Sequence, residues 1–361
     1  MAFILSSGIH LAEHDYPQSQ IKTFVEDVFP LKANEKKRLL PIFENTNIER
    51  RQLAMPLEWF AHEHGLEVKN DIYQKKAIEY TIAAVRSCLE ESVFLKKEVR
   101  VNQIDHIIFV SSTGIATPTI DTYILNELKF EEGVKRTPLF GLGCAGGTSG
   151  VAKGYEYLKG HPKENVLVVC VELCSLTFQH NDTRVSNFVG TALFADGASA
   201  VLLAGEESEL KSLSEKPLAR VTHASSKTKY DSTDVMGWQV VDSGFEVIFK
   251  KSIPRLVRDF WSQHVREVLE KNSLEIKDIP FIVAHPGGRK VLETYQEIFD
   301  LREETLAYST DILRKHGNMS SPTVHYVLNQ AMKGHPEKGT KSFMTSLGPG
   351  FSSEICTLEW V

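Results

Sequence analysis

Three side chains, Cys144, His285 and Asn318, stand where predicted elements break, and their types suit acyl transfer. The string Pro138-Leu-Phe-Gly-Leu-Gly-Cys-Ala-Gly-Gly-Thr-Ser-Gly150 stops an apolar run at Cys144 and opens a predicted helix with small residues. A cysteine at the first turn of a helix faces unpaired N–H groups and the positive end of the macrodipole. Both favour the thiolate and predict a pKa below the free value of about 8.5. Ala145, Gly146 and Gly147 leave room for a carbonyl to come within about 3–3.5 Å of the sulfur. Taken alone, the string fits a buried, inert thiol equally well, because free cysteine is among the most buried residue types.

His285 follows the apolar run Phe281-Ile-Val-Ala284 and precedes Pro286-Gly-Gly288, which predicts a ring projecting from a sheet edge into a cleft. Asn318 lies in Gly317-Asn-Met-Ser-Ser321, just ahead of a predicted helix, where its amide could donate into the same cleft. Each has an ordinary reading: a core histidine satisfied by a carbonyl, and a turn or N-cap asparagine. Together they suit the stabilisation of a developing enolate. Neutral donors aimed at an oxyanion favour that charge, and a carboxylate in the same place would oppose it. A protease triad would need an acid behind the histidine.

The elements that must position these groups alternate. Strands are predicted at Phe3–Ser7, Val101–Ser112 and Asn165–Val171, with helices around 21–29, 35–43, 71–91 and 119–128 and another running from Cys144 to about Leu158. After a polar stretch, Ala204–Pro217, the rhythm repeats. Helices are predicted at Val257–Lys271 and Lys290–Phe299, a short strand at Phe281–Ala284, and paired strands at Lys341–Leu347 and Glu354–Trp360. The pattern is α/β, and the boundary predicts two similar halves, 1–210 with the cysteine and 211–361 with the histidine and asparagine.

Composition excludes several classes. The 361 residues, 42% hydrophobic and 24% charged, are enough for a large layered globular unit. A formal charge of −6 with no basic aromatic-interleaved stripe gives no footprint for nucleic acid. The apolar runs fall far short of the roughly 18 residues that span a bilayer, so no membrane insertion is expected. The first residues lack the basic region of a signal peptide, which predicts a cytoplasmic address. Five cysteines, Cys88, Cys144, Cys170, Cys174 and Cys356, form no disulfide framework. Cys170 and Cys174 lack a second pair, and His62-Glu-His64 lacks zinc-protease spacing, so no metal is expected.

The order and wording of five strings resemble the thiolase superfamily and, more narrowly, the type III polyketide synthases, also called the chalcone and stilbene synthase family. They are Gly143-Cys-Ala-Gly-Gly147, Ala192-Leu-Phe-Ala-Asp-Gly197, Ala284-His-Pro-Gly-Gly288, His316-Gly-Asn-Met-Ser-Ser321 and Leu347-Gly-Pro-Gly-Phe351. The phrases Val235-Met-Gly-Trp238, Phe140-Gly-Leu-Gly143 and Val110-Ser-Ser-Thr-Gly114 look most like the Bacillus alkylpyrone synthase group. The resemblance implies a thiolase-like, five-layered αβαβα homodimer that uses acyl-CoA and malonyl-CoA as substrates and needs no separate cofactor. Cys144 would carry the acyl group, with His285 and Asn318 stabilising the enolate formed on loss of CO₂. Medium to long fatty acyl starters and alkylpyrone or alkylresorcinol products are expected.

The resemblance also implies further site residues. Phe194 matches a gatekeeper; its partner falls on Phe245 or Val247. Thr113, Thr117, Thr177 and Ser320 match positions that shape the cavity. Gly348, Pro349 and Gly350 match a loop beside the site, with Leu347 where many members have phenylalanine. Arg38 matches one position for the coenzyme A phosphates; two others fall on Pro41 and Asn45, for which Arg50 and Arg51 could substitute. Two rivals remain: an initiating β-ketoacyl-carrier-protein synthase, and a non-catalytic thiolase-fold subunit that only binds a partner.

Overall fold

The fold follows from strands that are apolar on both faces. In the computed structural model, which describes residues 1–180, 182–214 and 218–361, Asn165–Leu173 is buried along its whole length. Its side chains alternate: Val166, Val168 and Cys170 enter one core, and Leu167, Val169 and Val171 enter another. A strand that alternates between two apolar environments needs cover on both sides, and helices supply it.

Among the described residues thirteen strands form in chain order. Nine build one mixed sheet: β1 (Ala2–Leu11), β4 (His106–Val110), β5 (Lys135–Leu139), β6 (Asn165–Leu173), β7 (Asp196–Gly205), β8 (Ala219–Thr228), β11 (Val283–Ala284), β12 (Lys341–Gly348) and β13 (Ser352–Trp360). Their spatial order is β11-β12-β13-β8-β1-β7-β6-β4-β5. Two small antiparallel pairs stand apart: β2 (His14–Pro17) with β3 (Arg50–Leu53), and β9 (Met236–Val241) with β10 (Gly244–Phe249).

Five layers result. The long helix Leu66–Leu89 covers one face of the β4, β6 and β7 region through Tyr73, Ala77, Tyr80 and Ala84. The helices Gly146–Gly160 and Thr323–Lys333 form the middle layer. Their Val151, Leu158, Val324 and Leu328 share one core with Val166, Val168 and Leu203 on one side and with Val283, Met344 and Leu358 on the other. On the far side, Val265, Leu269, Leu292 and Tyr295 from the helices Ser262–Lys271 and Arg289–Phe299 pack against Phe343 and Ile355. This is the predicted αβαβα arrangement.

The sheet is continuous across the expected boundary, because Ala2, Phe3 and Ile4 pair with Val221, Arg220 and Ala219 and join β1 to β8. One feature differs from the sequence expectation: the predicted strand Phe281–Ala284 pairs only at Val283 and Ala284. The expected boundary Ala204–Pro217 ends in residues 215–217, which lie outside the described residues.

Candidate active site

Gly143–Ala145 form a tight turn that runs directly into the helix Gly146–Gly160, so Cys144 sits at the helix entrance as the sequence predicts. Gly143 has φ +48, a left-handed conformation that glycine adopts without penalty. The Ser112 hydroxyl accepts the N–H groups of Gly141 and Gly143, both at 3.2 Å, and so fixes the turn from the end of β4. From the opposite side, Gly348 at the end of β12 lies so close that a Cβ there would be 2.5 Å from Ala145 Cβ and 2.6 Å from the Leu142 carbonyl oxygen. Pro349 closes on Gly143 in the same way.

Asn318 reaches Cys144 from the second half of the chain. The Cys144 thiol donates to Asn318 Oδ1 at 4.0 Å. That oxygen also accepts the Ser320 N–H at 2.8 Å, while Nδ2 donates weakly to the Gly287 carbonyl at 3.3 Å. The amide is thereby oriented with its donor side toward the His285-Pro-Gly-Gly288 segment. His285 follows β11 at the sheet edge, as predicted. Its N–H donates to the Thr345 carbonyl oxygen at 2.8 Å, and the residue is 2% exposed. Neither Nδ1 nor Nε2 has a hydrogen-bond partner among the described residues. A core histidine is normally satisfied by a carbonyl or hydroxyl, which sets this ring apart.

The resting electrostatics correct one expectation. A lowered thiol pKa is predicted from the helix end, but burial pushes Cys144 up to about 11, helped by the nearby Glu172 carboxylate and opposed by Ser320 and Asn318. Burial also pushes His285 down to about 3. Both groups are neutral at pH 7 in the free chain, because desolvation of each charged form outweighs the local dipoles.

The other predicted residues divide into three groups. Phe194 is buried beside Cys174 and Val247, its ring 5.5 Å from Trp238 and 5.7 Å from Phe249. It lines an apolar recess with a cavity volume of about 40 Å³ together with Thr177, Cys174 and Val247. Of the two candidates for its partner, the recess touches Val247 and not Phe245. Thr113 is buried, but its hydroxyl is committed to Glu172 Oε2 at 2.8 Å and to the Leu173 N–H at 2.9 Å. Ser320 is buried with φ +58, and Gly350 accepts the Ser232 hydroxyl at its carbonyl. Thr117 and Arg38, by contrast, are exposed on the surface of the chain. The suggested phosphate role of Arg50 and Arg51 does not hold: Arg50 pairs with Asp15, and Arg51 is buried against carbonyl oxygens.

Sequence reasoning missed Glu172. Its carboxylate accepts the Ser112 N–H at 2.9 Å, the Thr113 hydroxyl and the Ser321 hydroxyl at 2.9 Å. It ties the loop behind Cys144 to the loop that carries Asn318. Burial pushes it up to about 7 despite these donors. The signal was present: one carboxylate at the end of the apolar run Val166-Leu-Val-Val-Cys-Val-Glu172. Among the described residues no cluster of three or more histidine, cysteine, aspartate or glutamate side chains could hold a metal, and no helix is long and apolar enough to cross a membrane.

A thiol and a carboxamide meet across 174 positions of chain, and the carboxamide donates to the segment that carries His285. Comparison with known proteins gives the family. Residues 1–207 match the chalcone and stilbene synthase N-terminal domain, and residues 221–359 match the C-terminal domain. The chain therefore belongs to the chalcone and stilbene synthases, the type III polyketide synthases. It is 41% identical over 361 residues to a "Putative chalcone synthase" of Bacillus subtilis, covering 100% of this chain and 99% of that protein. It is 31% identical over 357 residues to a 1,3,6,8-tetrahydroxynaphthalene synthase of Streptomyces peucetius, covering 98% and 92%. The fold superposes on the solved tetrahydroxynaphthalene synthase of Streptomyces coelicolor with a TM-score of 0.91 at 22% identity, covering 100% and 99% of the two chains.

Proposed function

We propose that this enzyme condenses malonyl-CoA onto a medium to long fatty acyl-CoA starter, with Cys144 from the first half, 1–210, and His285 and Asn318 from the second, 211–361. The observation that carries this reading is that Cys144 meets the Asn318 amide, which in turn donates to the Gly287 carbonyl of the segment that carries the buried His285 ring, whose nitrogens have no partner among the described residues. Cys144 Sγ attacks the starter thioester carbonyl, and the bond to the coenzyme A sulfur breaks. The thiol proton passes through the His285 imidazole to the departing thiolate. Malonyl-CoA then loses CO₂: the carbon–carboxylate bond breaks and its electron pair moves onto the thioester oxygen. His285 and the Asn318 Nδ2 donate to that oxygen. The enolate carbon attacks the cysteinyl thioester, and the Cys144 thiolate leaves.

The recess beside Phe194 supports an alkyl starter. Cys174 lies on its wall. Apolar walls favour a hydrocarbon tail, by about 0.8 kcal/mol for each buried methylene. Alkylpyrones or alkylresorcinols are the products assigned to such starters.

A homodimer and a cytoplasmic address complete the proposal. β5 is an edge strand, and the exposed Phe140 and Ile115, at 66% and 48%, flank its end. An uncovered edge beside apolar side chains is a natural seat for a second copy. Coenzyme A thioesters as substrates assign the enzyme to the cytoplasm.

The test is incubation of the purified protein with malonyl-CoA and acyl-CoAs of graded length, followed by mass spectrometry of the products. Chain-extended pyrones or resorcinols are expected. Extension only when malonate is offered on a carrier protein would overturn the assignment in favour of a β-ketoacyl-carrier-protein synthase.

A further inference from the structure

Two parts of the acyl recess wall come from segments far apart in the chain. Cys174–Thr177 form a short turn that runs into Phe178, and Cys174, Thr177 and Phe178 all line the recess. Val247 lines it as well, from the β9–β10 hairpin, which stands apart from the nine-stranded sheet. A two-stranded hairpin is marginal by itself, so its place against Phe194 depends on what holds it.

One side chain ties both segments. Lys69 lies in the first turn of the helix Leu66–Leu89 and is 8% exposed. Its ammonium donates to the Phe178 carbonyl oxygen at 2.7 Å and to the Ser243 carbonyl oxygen at 2.8 Å. Ser243 is at the tip of the hairpin, between β9 and β10. Two further bonds reach the same tip: the Leu66 N–H donates to the Asp242 carbonyl oxygen at 2.8 Å, and Gln179 Nε2 donates to the Phe245 carbonyl oxygen at 3.1 Å. Gly244 has φ +121, and a Cβ on it would be 3.1 Å from Lys69 Cδ, so the tip closes directly on the lysine stem. The helix itself is anchored in the core through Tyr73, Ala77 and Tyr80.

A buried ammonium must shed much of its water. Burial pushes Lys69 down to about 8, opposed by the Glu63 carboxylate, so it is charged at pH 7. An apolar side chain would avoid that cost but would leave two carbonyl oxygens without this donor. What the lysine supplies is a charge-assisted bond to each segment from a single atom on a rigid helix, and that sets the spacing between them.

This inference rests on the proposed function and deepens it. We propose that Lys69 is a positioning residue for the starter: by holding Phe178 and the hairpin tip to one ammonium, it fixes the distance between the Cys174–Phe178 wall and Val247, and so fixes which alkyl chain lengths the recess accepts. It acts only through the segments it holds.

The experiment measures kcat/KM of the full-length enzyme for acyl-CoAs of graded length in the parent and in Lys69→Met, which keeps the unbranched stem and removes the donors. In the parent, each methylene that the recess holds is expected to change kcat/KM by about fourfold, the value of a buried methylene. In Lys69→Met the step is expected to fall to about twofold or less per methylene, because a wall free to move leaves part of each methylene unpacked. Hydrogen exchange followed by mass is expected to quicken at least about tenfold across 236–249, the effect of losing a hydrogen bond to a charged group. A fall in kcat/KM by the same factor at every length gives Lys69 a purely structural role and overturns the inference, and so does an unchanged step or an unchanged exchange rate. If the parent extends no acyl-CoA, the proposed condensation itself fails. The recess is then judged by thermal unfolding with free fatty acids of graded length, since a ligand of the native state raises the midpoint. A length dependence of that rise in the parent which Lys69→Met flattens upholds the role of Lys69, and any other pattern removes it. Should Lys69→Met not fold, Gln179→Met, which removes the neighbouring bond to Phe245, is expected to lower the step in the same direction; an unaltered step in it would overturn the inference.

Discussion

The main chains around Phe194 and Asn318 are bridged. The Asn318 N–H donates to the Leu193 carbonyl oxygen at 2.8 Å, and the Ala195 N–H donates to the Asn318 carbonyl oxygen at 3.0 Å. The wall of the acyl recess and the amide assigned to the enolate are therefore one unit. A starter that displaces the Phe194 ring acts on the same backbone that aims Asn318.

Asn318→Ala removes one donor to the developing oxyanion. Loss of a single donor of this kind lowers rate by roughly 10²–10³. Release of CO₂ from malonyl-CoA is expected to fall by that factor, while acylation of Cys144, followed by mass, persists. Decarboxylation at the parental rate would exclude the assigned role.

The thiol and imidazole give a pH test. With Cys144 pushed up to about 11, the thiol is protonated at neutral pH, and its reactivity grows as pH rises. His285 is the group proposed to accept that proton. His285→Ala is expected to slow iodoacetamide labelling of Cys144 at least about tenfold at pH 7 and to move the rate profile to higher pH. An unchanged profile would dissolve the pairing.

Val247→Phe narrows the space that Phe194 leaves. Gly190 lies at the same point, where an added Cβ would be 3.2 Å from both Phe194 and Val247, so no slack exists to absorb a larger ring. Steady-state kinetics are expected to show about a tenfold or greater loss in kcat/KM for long acyl-CoAs, with short starters nearly unaffected. Parallel losses for both would place the alkyl chain elsewhere.

Gly348→Ala forces a methyl against Ala145 and the Leu142 carbonyl. Overpacking of this kind costs about 1–3 kcal/mol and moves the Cys144 turn. A lowered urea midpoint together with reduced Cys144 acylation is the expected result; an unaltered midpoint would show that β12 can withdraw.

Glu354, on β13, is buried, accepts the Ser226 hydroxyl and is pushed up to about 7 by burial. The native state binds this proton more tightly than the unfolded chain, where the carboxyl titrates near about 4.3. The stability it supplies at low pH is therefore lost as pH rises through 7. Glu354→Gln is expected to gain about 1–3 kcal/mol relative to the parent between pH 5 and pH 8.5, measured by urea unfolding. A constant difference between the two proteins would assign Glu354 an ordinary pKa.

Much of the fold was legible because its signals are local. The fully apolar run Asn165–Val171 demanded a strand covered on both faces, and Gly143-Cys-Ala-Gly-Gly147 demanded a turn into a helix. The β9–β10 hairpin and β8 gave no such signal. Ala219–Thr228 mixes Thr, His, Ser and Lys, and it is a strand because β1 and β13 pair with it on either side. Arg50-Arg51 shows the same limit. Two adjacent arginines read as a charged face, yet period-two alternation along β3 sends one to Asp15 at the surface and the other into the core.

The sequence by itself determined the alternation of helices and strands, the reactive types Cys144, His285 and Asn318, and their places at element ends. All of these depend on neighbours within a few residues. Only the tertiary structure decided that Asn318 Oδ1 lies 4.0 Å from Cys144 Sγ across 174 positions of chain, that the His285 ring nitrogens have no partner among the described residues, and that Arg51 is buried against the carbonyls of Thr191 and Phe194. Those outcomes depend on how the middle helices pack between the two halves of the sheet, and on burial, which pushes the thiol and the imidazole away from the charges that local dipoles alone would predict.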